Sequence, residues 1–214
     1  DRVATVLRSA VRAARDVAAR HESVDLASRC AGALVSGGLS SEDQEVRLDA
    51  ASALGVVASK ARHRCLVAKC VAALASEALL DASEPIRRKA ATALGRVSYN
   101  SRYRVEVARA AGAAAAALGG DDLQPRSNSS NALEAAAMAL SEQALHDRSS
   151  SVRRCAAASL SDVIFALKDL GRADLADEYV AILSGQALKD ESVAVRFAAA
   201  AALRGIGRGP RSLL

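Results

Sequence analysis

In the first twenty residues Val3, Val6, Leu7, Ala10, Val11, Ala14, Val17 and Ala18 fall three or four apart, with Arg2, Arg8, Arg12 and Arg15 between them. That spacing draws one apolar stripe along an amphipathic helix. Followed along the chain, the same pattern predicts helices over about 2–20, 24–37, 43–59, 62–80, 84–99, 102–118, 129–146, 150–169, 173–189 and 192–207. The pattern fails between Gly119 and Asn131, where Gly, Pro, Asn and Ser are dense enough to end a helix after Leu118. Residues 119–131 are therefore expected as an irregular loop.

The apolar pattern also repeats. Val46-Arg47 with Ala50-Ala51 and Leu54-Gly55 returns 40 residues later as Ile86-Arg87 with Ala90-Ala91 and Leu94-Gly95. It recurs as Val152-Arg153 with Ala156-Ala157 and Leu160, and as Val195-Arg196 with Ala199-Ala200 and Leu203. Ahead of the last three copies stand Ala78-Leu79-Leu80-Asp81, Ala144-Leu145-His146-Asp147 and Ala187-Leu188-Lys189-Asp190, each Asp five residues before the branched residue. An Asp so placed accepts from the exposed N–H groups at the start of the next helix, and the Ala-Leu pair closes the helix before it on its buried side. Because Arg47, Arg87, Arg153 and Arg196 recur at one register, they are expected to pair with turn carboxylates of adjoining units. The leucines and paired alanines are read as core. From Ile86 to Val152 the period stretches to 66 residues, so either a unit has lost its first helix or one unit carries an insertion.

This D-x-x-x-x-[VI]-R-x-x-A-A-x-x-L-G pattern resembles the HEAT repeat, including the HEAT-like units of phycobilin lyases, over essentially the whole chain. The resemblance implies an all-α fold: a right-handed α-solenoid of about five HEAT/armadillo-like helical hairpins, forming a single domain over 1–214. It implies no specific activity, because such repeats serve scaffolds, adaptors, assembly factors and some enzymes.

Composition narrows the classes. Of 214 residues 51 are Ala, aromatics are 2% and Trp is absent, which suits close-packed helices and disfavours base-stacking platforms. No apolar run is long enough to span a bilayer. The four cysteines show no C-x-x-C spacing and read as buried thiols. Asp1 stands where an initiator Met is absent, consistent with a removed targeting segment, and the expected location is intracellular, in the cytoplasm or an organelle.

The sequence carries no recognisable catalytic signature. Helical-repeat iron hydroxylases place His-Glu after the Val-Arg step, where this chain has Leu48-Asp49, Arg88-Lys89, Arg154-Cys155 and Phe197-Ala198. His21, His63 and His146 are too scattered for a local metal site, and no phosphate-binding Gly loop or nucleophile elbow occurs. No cofactor, metal or catalytic residue is assigned.

The excess of cations is local. Residues 61–110 carry ten Lys and Arg against four acids. The 40-residue register sets Arg62 over Arg102, Arg64 over Arg104, Lys69 over Arg109 and His63 over Tyr103. Stacked units would align these six cations on one face, with Tyr99 and Tyr103 flanking them. The expectation is a non-enzymatic scaffold, adaptor or assembly subunit that binds an acidic protein surface there, within a multi-subunit complex among other settings. The alternatives are a chromophore-lyase-like enzyme and nucleic-acid binding through the 61–110 block.

Overall fold

The computed structural model describes residues 2–20, 23–61, 63–98 and 128–207, with side chains for all of these except 2–4, 64 and 128–131. Among the described residues the chain is all-helical, with no strand and no helix long and apolar enough to cross a membrane. The helices are α1 (Arg2–Arg20), α2 (Val24–Ala33), α3 (Gln44–Lys60), α4 (Arg64–Ser76), α5 (residues 84–98), α6 (Asn128–Met138), α7 (Ser150–Asp169), α8 (Ala173–Gly185) and α9 (Val193–Gly207). The sequence-expected helix at 102–118 and residues 119–127 of the expected loop lie outside the described residues. Asn128–Asn131, expected in that loop, form the first turn of α6. Asn and Ser suit a helix start, and the Ala-rich run behind them carries the helix on.

Helix starts follow from short polar side chains. Ser23 Oγ accepts from the Leu26 amide, Asp43 Oδ1 from Glu45 and Val46, and Ser149 Oγ from Ser151. In α5 the corresponding Ser83 hydroxyl is buried without a partner. Two residues on, where Asp43 and Ser149 find an N–H, α5 has Pro85, which has none.

The even-numbered helices end earlier than the apolar pattern predicts. α2 and α6 widen into π turns at Leu34–Leu39 and Ala139–Gln143, while 3-10 turns occupy Ala78–Leu80, Ala144–His146 and Ala187–Lys189. These terminal turns satisfy carbonyls that an α-helix would leave open as the chain reverses. The Ala-Leu-x-Asp signature is thus a 3-10 turn with its Ala buried, followed by the turn Asp. α7 ends where Gly171 takes φ +76°, with Arg172 N donating to Leu167 O at 2.9 Å.

Odd-numbered helices pack in succession. α1 lies on α3 and α7 on α9. Gly55 of α3 meets Ala93 of α5, and Gly95 of α5 meets Ser159 of α7. Even-numbered helices pack α2 on α4 and α4 on α6, and α8 lies against α7 and α9. Across the 66-residue spacing α5 still meets α7, and α4 still packs on α6, so neither row of described helices skips a place there. Val46, Ile86, Val152 and Val195 are all fully buried, as are Leu54, Leu94 and Leu160. Leu203 departs from the expectation: it is only half-buried, because no described helix follows α9 to cover it.

The glycine contacts explain how close the helices come. A Cβ added at Gly55 would sit 2.6 Å from Ala93 Cβ, and one at Gly95 would sit 2.6 Å from both Cβ and Oγ of Ser159. Neither neighbour is a flexible side-chain end, so a methyl group must push helices apart. Gly55→Ala should therefore lose about 1–3 kcal/mol in urea unfolding despite its better helix propensity. Gly185→Ala, with nothing within 4 Å of its added Cβ, should be neutral or stabilising. Equal stability changes at the two sites would contradict the close approach.

Candidate interaction surface

The repeated arginines are the best-defined polar feature. Arg87 Nε donates to Asp147 Oδ2 at 2.6 Å and Nη2 to Oδ1 at 3.1 Å, while Nη1 donates to the carbonyls of Asp81 and Ala82, each at 2.9 Å. Arg153 repeats this with Asp190 at 2.7 and 3.0 Å, the carbonyls of Asp147 and Arg148, and Glu191 Oε1 at 3.0 Å. Arg47 does the same with Asp81 at 2.8 and 3.4 Å and the carbonyls of Ser41 and Glu42. Each arginine therefore grips the turn before its own helix and the Asp before the next odd-numbered helix. Pairing with turn carboxylates is as the register predicts. The partners are 34 and 37 residues apart in two cases and 60 in the third, so the same bridge forms across the longer spacing.

The turn Asp does a second thing, different from the expected capping. Oδ1 of Asp81, Asp147 and Asp190 accepts from the amides of Ser83, Ser149 and Ser192, each at 2.8 Å. Those serines stand at the N-cap positions, so the Asp fixes the backbone of the residue that opens each helix, and Ser149 in turn accepts from Ser151 through its own Oγ. The Asp-x-Ser spacing was the available sequence signal.

Burial pushes the Asp147 carboxyl up, but the Arg87 hydrogen bond, the Ser149 amide and the charges of Arg87 and Arg148 outweigh it and hold it below the ordinary carboxylate range. Asp190 is held low chiefly by its Arg153 hydrogen bond. Arg87 and Arg153 are correspondingly raised by their Asp partners. Engaged on both sides, Arg47 and Arg87 commit four of their five N–H donors within the fold and Arg153 all five.

Of the residues expected to form the basic face, Lys69 alone has a described side chain. Arg64 begins α4 with its side chain outside the described set, and Arg62, Tyr99, Arg102, Tyr103, Arg104 and Arg109 lie outside the described residues altogether. Lys69 is on the outward stripe of α4 with Cys65, Ala68 and Ala72. Its Nζ donates to the Ser28 carbonyl of α2 at 3.4 Å, passing over Gly32, where an added Cβ would lie 3.3 Å from it. All four cysteines are unpaired. Burial pushes the Cys70 thiol up to about 12, whereas Cys65, expected inside, is exposed because it sits a helical step away from the buried Leu66–Cys70–Leu74 stripe. Among the described residues no three His, Cys, Asp or Glu side chains form a metal-binding group.

Comparison with known proteins gives no family. No family model matches the chain, and no curated protein does. A crystal structure of an engineered protein from the Northeast Structural Genomics Consortium is similar over 94% of this chain and 90% of its own, at 21% identity and a TM-score of 0.37.

The turn carboxylates yield a pH test. A carboxyl held low in the fold contributes stability that is complete above its unfolded value, about 3.9, and is lost as the pH falls through the folded value. Asp147→Asn should thus be less stable than the parent by roughly 1.5–3 kcal/mol at pH 7. The gap should close on acidification below about pH 4. A gap unchanged down to pH 2 would mean that the Asp147 charge contributes nothing.

Proposed function

We propose that the chain is a non-enzymatic interaction scaffold built as a right-handed solenoid of HEAT-like hairpins, binding an acidic protein surface through its basic face. The observation that carries this reading is the threefold repetition of one interface: Arg47–Asp81, Arg87–Asp147 and Arg153–Asp190 join successive pairs by the same four-part grip. A chain built from one repeated junction gains length without a central cavity, and what it offers a partner is a long outer face. Since Arg47, Arg87 and Arg153 are held between units, binding falls to cations outside the motif, which are densest at Arg62, Arg64, Lys69, Arg102, Arg104 and Arg109, with Tyr99 and Tyr103 beside them. The unpaired thiols suit a reducing compartment.

The test compares the chain with a triple reversal, Arg64→Glu, Arg102→Glu and Arg104→Glu, as immobilised bait in native extract, with and without nuclease, at low and moderate salt. The reading predicts a bound acidic protein that is lost with the reversal while the circular dichroism spectrum is unchanged. Retention by the reversed chain at both salts would remove this face, and capture abolished by nuclease alone would replace the acidic protein with nucleic acid.

A further inference from the structure

The odd-numbered helices carry side chains that run across them in rows. Gly55 meets Ala93 and Gly95 meets Ser159, so the residue nine after Val46 or Ile86 touches the residue seven after Ile86 or Val152. Equal positions in adjacent helices therefore lie within about 3 Å of level. With axes about 8–10 Å apart, like-placed residues line up from helix to helix. Two residues after Val46, Ile86, Val152 and Val195 stand Leu48, Arg88, Arg154 and Phe197. One turn further along the same stripe stand Ser52, Thr92, Ala158 and Ala201. None of these residues is buried; Arg88 and Arg154 are exposed, and Phe197 is 68% exposed.

The first row reads apolar, cationic, cationic, apolar. Arg88 reaches Glu84 at 3.9 Å with both side chains near half exposed, a contact of little strength, and Arg154 meets no acceptor among the described residues. Two like charges at neighbouring places repel unless an anion lies between them. The second row is small in every copy, so the surface beside the arginines is low. One turn beyond it Arg96 and Asp162 raise the far side on α5 and α7. From the first row to that far side, eight residues of helix measure about 12 Å. Once the bordering side chains take their share, the trough admits an extended chain but not a helix, which is about 10–12 Å across with its own side chains.

We propose that this row binds an extended acidic segment of another protein, with two acids three residues apart answering Arg88 and Arg154 and apolar residues three further on each side answering Leu48 and Phe197. An extended chain advances about 3.3 Å per residue, so three residues cover about 10 Å, which matches the step from one odd-numbered helix to the next. The order of the row selects a polypeptide over nucleic acid. A phosphate backbone is anionic throughout, and here it would meet Leu48, Phe197 and the carboxylates of Glu84 and Asp162. A second copy does not supply the segment: the stretch with this spacing, Leu39, Glu42, Glu45 and Leu48, is folded, with Leu39 buried and Glu45 in the first turn of α3. The proposal rests on reading the chain as an interaction protein and names a surface apart from the basic face.

The probe is a fluorescein-labelled peptide, Gly-Leu-Ser-Thr-Asp-Ser-Thr-Asp-Ser-Thr-Leu-Gly, and its binding to the full chain at low salt is read by fluorescence anisotropy. Replacing both of its Asp by Asn should weaken binding about tenfold. In the chain, Arg88→Gln and Arg154→Gln should each weaken it about threefold and together about tenfold, and Phe197→Ser about threefold. All three side chains are exposed, so circular dichroism should be unchanged. An alanine-rich helical peptide with its two Asp seven apart should bind no better than the Asn form. No binding by the probe, binding indifferent to the Arg88 and Arg154 pair, or equal binding by the helical peptide would overturn the proposal. So would displacement of the probe by single-stranded DNA at a lower concentration than by unlabelled peptide, or sedimentation showing self-association that the double variant abolishes. The triple reversal of the basic face leaves this row intact and should bind the probe as the parent does, so each surface stands or falls by its own result.

Discussion

A guanidinium brought into an apolar junction must find acceptors for its donors or carry a desolvation penalty of several kcal/mol. Arg87 meets this condition with two carbonyls and both oxygens of Asp147, at side-chain exposures of 7% and 9% for the pair. The condition has geometric consequences. The carbonyls belong to the turn before Arg87's own helix and the carboxylate to the turn before the next odd-numbered helix, so satisfying the charge fixes one turn against the other. A buried pair of this kind adds little net stability over an apolar substitute of equal volume, but losing one partner is costly. Its contribution is register.

Given that register, the rest of the junction follows. Turns held one guanidinium apart draw the helices behind them into contact at Gly55 and Gly95, where even a methyl group does not fit. Alanine fills the positions around these contacts because larger side chains would hold the helices off. The first junction lacks the device. The turn before α3 has Ser41 where later turns have Asp, and α1 reaches α3 through Arg8 and Asp49 instead, at 3.0 Å. At the other end Arg196 of α9 holds the carbonyls of its own turn and, among the described residues, meets no carboxylate.

Much of this was legible in the chain. The branched residue and the leucine mark the buried face of α3, α5 and α7, and the arginine–aspartate pairing follows from two motifs recurring in step. Less legible was what depends on contact between distant residues. Nothing local distinguishes Gly55 as a contact point from a glycine that merely weakens a helix. The π turns after α2 and α6 arise from how the chain must reverse, while their sequences still read as helix. Leu203 matches Leu54 in sequence and differs in burial because burial belongs to the neighbour as much as to the residue. For the basic face the sequence supplied a register, and Lys69 shows how such a reading is altered by packing: its ammonium is already turned toward a carbonyl of α2.

The central claim is that the arginine and aspartate of a junction act as one unit. A double-mutant cycle on Arg87→Ala and Asp147→Ala, measured by urea unfolding at neutral pH, tests it directly. Each single change should cost about 3–5 kcal/mol, because each strands a buried charge. The double change should cost well below the sum, with a coupling of at least about 2 kcal/mol. Additive losses, with coupling near zero, would contradict the account.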